Sequence, residues 1–204
     1  MSSNLPTIVL ASQSTSRRRL LESAGLSPKI VVSHVDEETD FFNAMQPVDM
    51  VITLAITKAH TVREQIDYPA IIIGCDSTFE FDGVSLGKPG TPEIAIERAQ
   101  RVQGNSGLLH TGHCVIDTVK DLEISDRVTT RVTFDQMSDE EIADYVATGE
   151  PLHVAGGFTL DGFSSPFIPS IHGDYTNVVG ISMPFIRKAF IQLGYTWPQV
   201  KFMK

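Results

Sequence analysis

Ala70-Ile71-Ile72-Ile73-Gly74-Cys75-Asp76-Ser77 is a continuous apolar run that ends in a carboxylate. A run of this kind reads as a strand buried on both faces, which occurs where helices cover a sheet on each side, and it points to a layered α/β domain. Ligands in open α/β sheets gather outside the carboxyl ends of such strands, so Asp76 stands where chemistry is expected. On its own it is equally a strand-end cap.

A second short strand, Thr7-Ile8-Val9-Leu10, leads through Ala11-Ser12-Gln13-Ser14-Thr15-Ser16 into Arg17-Arg18-Arg19-Leu20-Leu21-Glu22-Ser23-Ala24-Gly25, a helix closed by glycine. Three arginines there face the positive end of the helix dipole and unpaired backbone N–H groups, an arrangement that asks for an anion, phosphate above all. Helical spacing sorts them. Arg17 precedes Leu20, Leu21 and Ala24 on the stripe that packs inward, whereas a solvated turn would account for Arg18 and Arg19. Arg17 is the first candidate site residue, and Arg18 stands beside it as a phosphate candidate.

Charge limits the partners. The 204 residues carry 16 Lys and Arg against 25 Asp and Glu, a formal net charge of −9, which opposes long-range attraction of DNA or RNA. A phosphate ligand must then be small, held by a local positive pocket or a bridging metal. Hydrophobic content of 42% supports one domain or two closely joined lobes. The N-terminus lacks a signal-like apolar core and no apolar run approaches a membrane span, so a cytoplasmic protein without a membrane partner is expected. Cys75 and Cys114 read as reduced core thiols.

Along the rest of the chain a strand is expected over 29–35, running into Asp36-Glu37-Glu38, then a helix from Pro47 to Glu64. On its inward stripe Val51, Leu54, Ala55 and Val62 are joined by Lys58, which either snorkels past the core or meets an anion. A hairpin turning at Asp82-Gly83 delivers Gly87-Lys88-Pro89; Thr91 and Pro92 start a helix that ends before Gly104. A strand-rich stretch covers 108–134, Ser138-Asp139-Glu140-Glu141 forms a capping box, glycines punctuate the loop over 149–162, and the last helix begins near Pro184.

Taken together, Leu10-Ala-Ser-Gln-Ser-Thr-Ser-Arg17, Asp36-Glu37, Ala55-Ile-Thr-Lys58-Ala59, Gly74-Cys-Asp76-Ser-Thr78, Gly87-Lys88-Pro89 and Gly149-Glu-Pro-Leu-His-Val-Ala-Gly156 resemble the Maf family of nucleoside triphosphate pyrophosphatases, collinearly over almost the whole chain. The resemblance implies a single Maf-like domain over 1–204, with an elongated mixed β-sheet, flanking helices and two lobes around a cleft, related to inosine triphosphate pyrophosphatase folds. It implies a divalent metal, Mg²⁺ or Mn²⁺, a cytoplasmic location and, often, a homodimer. By matched position Ser14 and Arg17 correspond to the phosphate-binding turn, Glu37 and Asp76 to the acidic pair, and Lys58 and Lys88 to the lysines. Thr15 and Ser16 stand where the family commonly has proline and a further arginine.

The residue types suit cleavage between the α and β phosphorus atoms. Arg17, Lys58 and Lys88 neutralise a polyanion, and Glu37 and Asp76 can hold a hard cation, with Asp76 alternatively taking the proton of the attacking water. Another role attributed to the family is regulatory, a nucleotide-binding inhibitor of septum formation; pure phosphate binding gives no reason for two carboxylates beside a polyanion. For base recognition the candidate is Asp161. The family's pyrimidine-preferring branch tends to carry glutamine there and its 7-methylguanosine-preferring branch glutamate, with His153 and Phe158 closer to the second. A carboxylate only accepts hydrogen bonds, which suits the N1–H and N2–H donors of a guanine edge.

Overall fold

The computed structural model describes residues 5–201. Its strands are β1 (Thr7–Leu10), β2 (Lys29–Ile30), β3 (Ala70–Phe81), β4 (Val84–Leu86), β5 (Ser106–Asp117), β6 (Leu122–Thr133) and β7 (Ser170–His172). They form one sheet in the order β2-β1-β3-β5-β6-β7, with β4 paired to β3. β1 runs parallel to β2 and β3, and the other pairs are antiparallel, giving the expected mixed α/β architecture.

The apolar run is the middle of this sheet, and Ile71, Ile72 and Ile73 are fully buried. Their side chains alternate across it. Ile71 and Ile73 pack with Leu10 and with Leu21 of α1 (Thr15–Ser23) on one face, together with Ile186 and Phe190 of α7 (Met183–Gln192). Ile72 packs on the other face with Val9 and with Ala55 and Ala59 of α3 (Pro47–Gln65), the helix that follows the single turn α2 (Asp40–Asn43). Beyond Ser77, β3 continues into a separate aromatic core of Phe79, Phe134 and Phe158, which Val102 of α4 (Pro92–Val102) joins; Ala95 of α4 packs in turn with Ile142 and Val146 of α5 (Asp139–Ala147).

Several expectations hold at the level of single residues. Asp82 and Gly83 both take positive φ (51° and 74°), as a two-residue hairpin turn requires, and Ser138 and Glu141 form the capping box. Two do not. The strand expected over 29–35 is cut to β2, because β1 is short; after Val31 N–H donates to Leu10 O at 3.2 Å, His34 turns the chain away at φ 53°. The helix near Pro184 is α7, preceded by the short α6 (Tyr175–Val179) and followed by a further turn, α8 (Trp197–Val200). Among the described residues no helix is long and apolar enough to cross a membrane.

Helix α3 approaches the sheet more closely than side chains allow. A Cβ on Gly74 would lie 2.3 Å from Ala55 O, and one on Gly112 would lie 2.1 Å from Val51 O. Overpacking of this kind costs roughly 1–3 kcal/mol. Gly112→Val is therefore expected to lower the thermal midpoint and, because Lys58 rides on α3, turnover as well. Unchanged melting and activity would show that the close approach is dispensable.

Candidate active site

β1 and β3 run parallel, so their residues 10 and 73 lie side by side and the chain leaving β1 passes along β3 at Asp76. Here a cleft of about 1150 Å³ opens between the turn after β1, the segment after β2, the inner face of α3 and the loop after α5. Three ionisable side chains meet on its floor. Lys58 Nζ donates to Asp76 Oδ1 at 2.6 Å and lies 2.7 Å from Glu37 Oε1. The Lys58 side chain is 7% exposed, so it does not snorkel; it meets two anions, and both are carboxylates of this chain.

Environment separates the two acids. Burial pushes the Asp76 carboxyl up and outweighs the nearby cations Lys58 and Arg17, with the like charge of Glu37 adding to the rise, so it titrates above the ordinary range. Burial also pushes Glu37 up, but Lys58, Lys88 and Arg17 together outweigh it and hold this half-exposed carboxyl below the ordinary range. A pair split in this way offers one proton acceptor and one lasting charge.

Arg17 packs inward as its spacing predicts. Its Nε donates to Gly180 O at 2.7 Å, Nη1 to Cys75 O at 2.9 Å and to Ser12 Oγ at 3.2 Å, and Nη2 to Ser77 Oγ at 3.0 Å. A guanidinium has five N–H donors, so one on Nη2 remains for a ligand. Arg17 thus clasps three segments around the cleft besides facing into it. Ser14 lines the cleft and caps α1, its Oγ accepting from Arg17 N–H at 3.4 Å. Arg18 is a correction to the sequence reading. One residue on, it is turned by about 100° to the outer side of α1, where it pairs with Glu22 at 2.7 Å and its side chain is 56% exposed.

Lys88 lies on the opposite rim, on a loop whose Gly87 carbonyl accepts from Arg98 Nη1 at 2.6 Å and from Gly156 N–H at 3.2 Å. Asp161 and His153 are exposed and line the same side. Phe158 is 7% exposed, stacked edge-on with Phe79 and Phe134 at centroid distances of 5.1 and 4.9 Å, and acts mainly as a core residue. Sequence reasoning missed Ser12, Ser77 and Gly180. Ser77 carried a signal, since it directly follows Asp76 where the apolar run ends; Gly180 carried none, because only the fold brings it to Arg17.

A family model described as Maf-like protein matches residues 7–193. A protein of Streptomyces coelicolor named nucleoside triphosphate pyrophosphatase is 48% identical over 188 residues, covering 92% of this chain and 90% of that protein. A protein of the same name from Prochlorococcus marinus is 47% identical over 181 residues, covering 89% of this chain and 96% of that protein. Among solved structures, the Staphylococcus aureus Ham1 protein aligns with a TM-score of 0.50 at 11% identity, over 93% of this chain and 100% of that one, a likeness of fold.

Proposed function

The chain belongs to the family of Maf-like proteins, and on that premise we propose that it is a nucleoside triphosphate pyrophosphatase, a hydrolase of phosphorus anhydrides that releases pyrophosphate and a nucleoside monophosphate. The buried Glu37–Lys58–Asp76 cluster on the floor of a cation-rimmed cleft carries this reading.

Water attacks the α-phosphorus in line with the bridging oxygen, a new O–P bond forms, and the bond from the α-phosphorus to that oxygen breaks as pyrophosphate leaves. Asp76 accepts the water's proton. Lys58 holds its Oδ1, and among the described residues no protein group donates to Oδ2, which is open to a ligand in the cleft. Lys88, the remaining Nη2 N–H of Arg17 and the N-terminal N–H groups of α1 meet the phosphate charge.

Glu37 and Asp76 would hold Mg²⁺ or Mn²⁺. Hard carboxylate oxygens suit these ions, and two carboxylates suffice for a cation that takes its other ligands from substrate phosphates and water. Among the described residues no cluster of three or more His, Cys, Asp or Glu side chains offers a full protein cage. When bound, the cation would neutralise phosphate charge. Glu37, more exposed and held ionised, is the natural principal ligand.

The remaining features of this reading are a single two-lobed domain, a cytoplasmic location, supported by two buried free thiols, and a homodimer whose partner is nucleotide rather than nucleic acid, supported by the charge of −9. Asp161 reads the base, favouring guanine-type triphosphates over UTP and dTTP.

Pyrophosphate release across guanine, methylated guanine and pyrimidine triphosphates, with Mg²⁺ or Mn²⁺, tests both levels. Release of only orthophosphate would overturn the pyrophosphatase assignment. A guanine preference that Asp161→Gln diminishes is expected; faster turnover of UTP or dTTP than of every purine would overturn the base assignment alone. The pH profile is a further check. Since Asp76 must be ionised to accept a proton and burial raises its pKa, kcat/KM is expected to fall toward acid with a midpoint above the ordinary carboxylate range. Activity that persists undiminished into that range would reassign the base.

A further inference from the structure

We infer that Glu150 is a positioning residue for base selection, acting through the loop that presents Asp161; the inference rests on the base-reading role proposed above. Glu150 opens the 3₁₀ turn Glu150–His153 that follows α5, and its carboxylate is directed into the neighbouring loop. Its Oε1 accepts from Thr159 Oγ1 at 2.6 Å and from Phe163 N–H at 2.9 Å, with Oε2 3.2 Å from the same N–H. These two donors stand two residues before and two residues after Asp161.

The loop is tied a second time at its base. Ser164 Oγ accepts from Thr159 N–H at 2.8 Å and donates to Thr159 O at 2.6 Å, and Ser164 is 4% exposed. Glu150 fills what this ring encloses. A Cβ on Gly162 would lie 2.3 Å from Glu150 Oε2 and 2.4 Å from Thr159 Oγ1, so the backbone beside Asp161 is wrapped on the carboxylate with no room for a side chain. Asp161 itself is exposed at the tip, facing the cleft.

An exposed aspartate on a loose loop would have to be ordered each time a base binds, and the cost would weaken the contact. With the loop strapped to Glu150, that ordering is in place beforehand. The Glu150 carboxylate bonds Thr159 and Phe163 rather than Lys88, Arg17 or Asp76, so its loss should appear in binding of the preferred base and not in the chemical step.

The test is kcat and KM measured separately for GTP and UTP, with melting temperature, in Glu150→Ala, Glu150→Gln, Asp161→Asn and the Glu150→Ala/Asp161→Asn pair. Glu150→Ala is expected to raise KM for GTP roughly tenfold, leaving kcat and the KM for UTP near wild type. Glu150→Gln, which retains a carbonyl acceptor, should recover most of the loss, and the double variant should resemble Asp161→Asn alone. Equal losses on GTP and UTP, or a fall in kcat on both, would overturn the inference by making Glu150 a general structural residue. A guanine preference that Asp161→Asn shifts and Glu150→Ala does not would overturn it while sparing Asp161. A preference that Asp161→Asn leaves unchanged removes the base-reading role itself, and the inference with it.

Discussion

Asp76→Asn is expected to lower kcat by about 10²–10⁴-fold, the range over which a positioned proton acceptor contributes, while leaving the folded state about as stable as wild type. The substitution keeps volume and removes one charge from a site that is 7% exposed. Because burial raises the Asp76 pKa in the fold, its contribution to stability is complete below the unfolded pKa and is lost as pH rises through the folded value. The neutral amide escapes that loss, which offsets leaving Lys58 with Glu37 alone. Single-turnover pyrophosphate release and thermal unfolding on the same preparation separate the two effects. Turnover within a few-fold of wild type would mean that Asp76 is not the proton acceptor.

Lys58→Met should damage both stability and activity. Removing one partner of a buried ionic cluster costs about 3–5 kcal/mol, and here it leaves two carboxylates that had shared one ammonium at 2.6 and 2.7 Å. Without Lys58 the coulombic attraction and hydrogen bond that lower both carboxyls disappear, so both pKa values rise. A raised folded pKa gives stability below the unfolded value that is lost on going to higher pH. The deficit relative to wild type should therefore be largest near neutral pH and shrink as pH falls toward the ordinary carboxylate range. Denaturant melts at several pH values would show this trend; a pH-independent deficit would attribute the loss to packing alone.

Part of this machinery was readable before any fold was known. The apolar run over 70–75 specifies a strand covered on both faces, and the period of about 3.6 residues places Arg17 and Lys58 on inward stripes and Arg19 outside. Those are local properties, decided by the geometry of one element, and they survived intact. The same rule turned Arg18 outward, where only its neighbourhood in sequence had made it a phosphate candidate.

What the inward side chains meet belongs to the tertiary structure. Lys58 reaches Asp76, 18 residues further along, because Gly74 and Gly112 let α3 settle against the sheet. Arg17 commits most of its donors to backbone and hydroxyl groups as distant as Gly180, 163 residues away, so it holds the cleft together as well as facing it. The opposite displacements of the Glu37 and Asp76 pKa values follow from unequal burial around one shared cation. Sequence determined which residues are charged and which face of an element they occupy, since both follow from side-chain chemistry and backbone period. Which charges become partners, and how strongly water is excluded from them, was decided only when separate elements packed together, because desolvation and pairing depend on distances that no local pattern encodes.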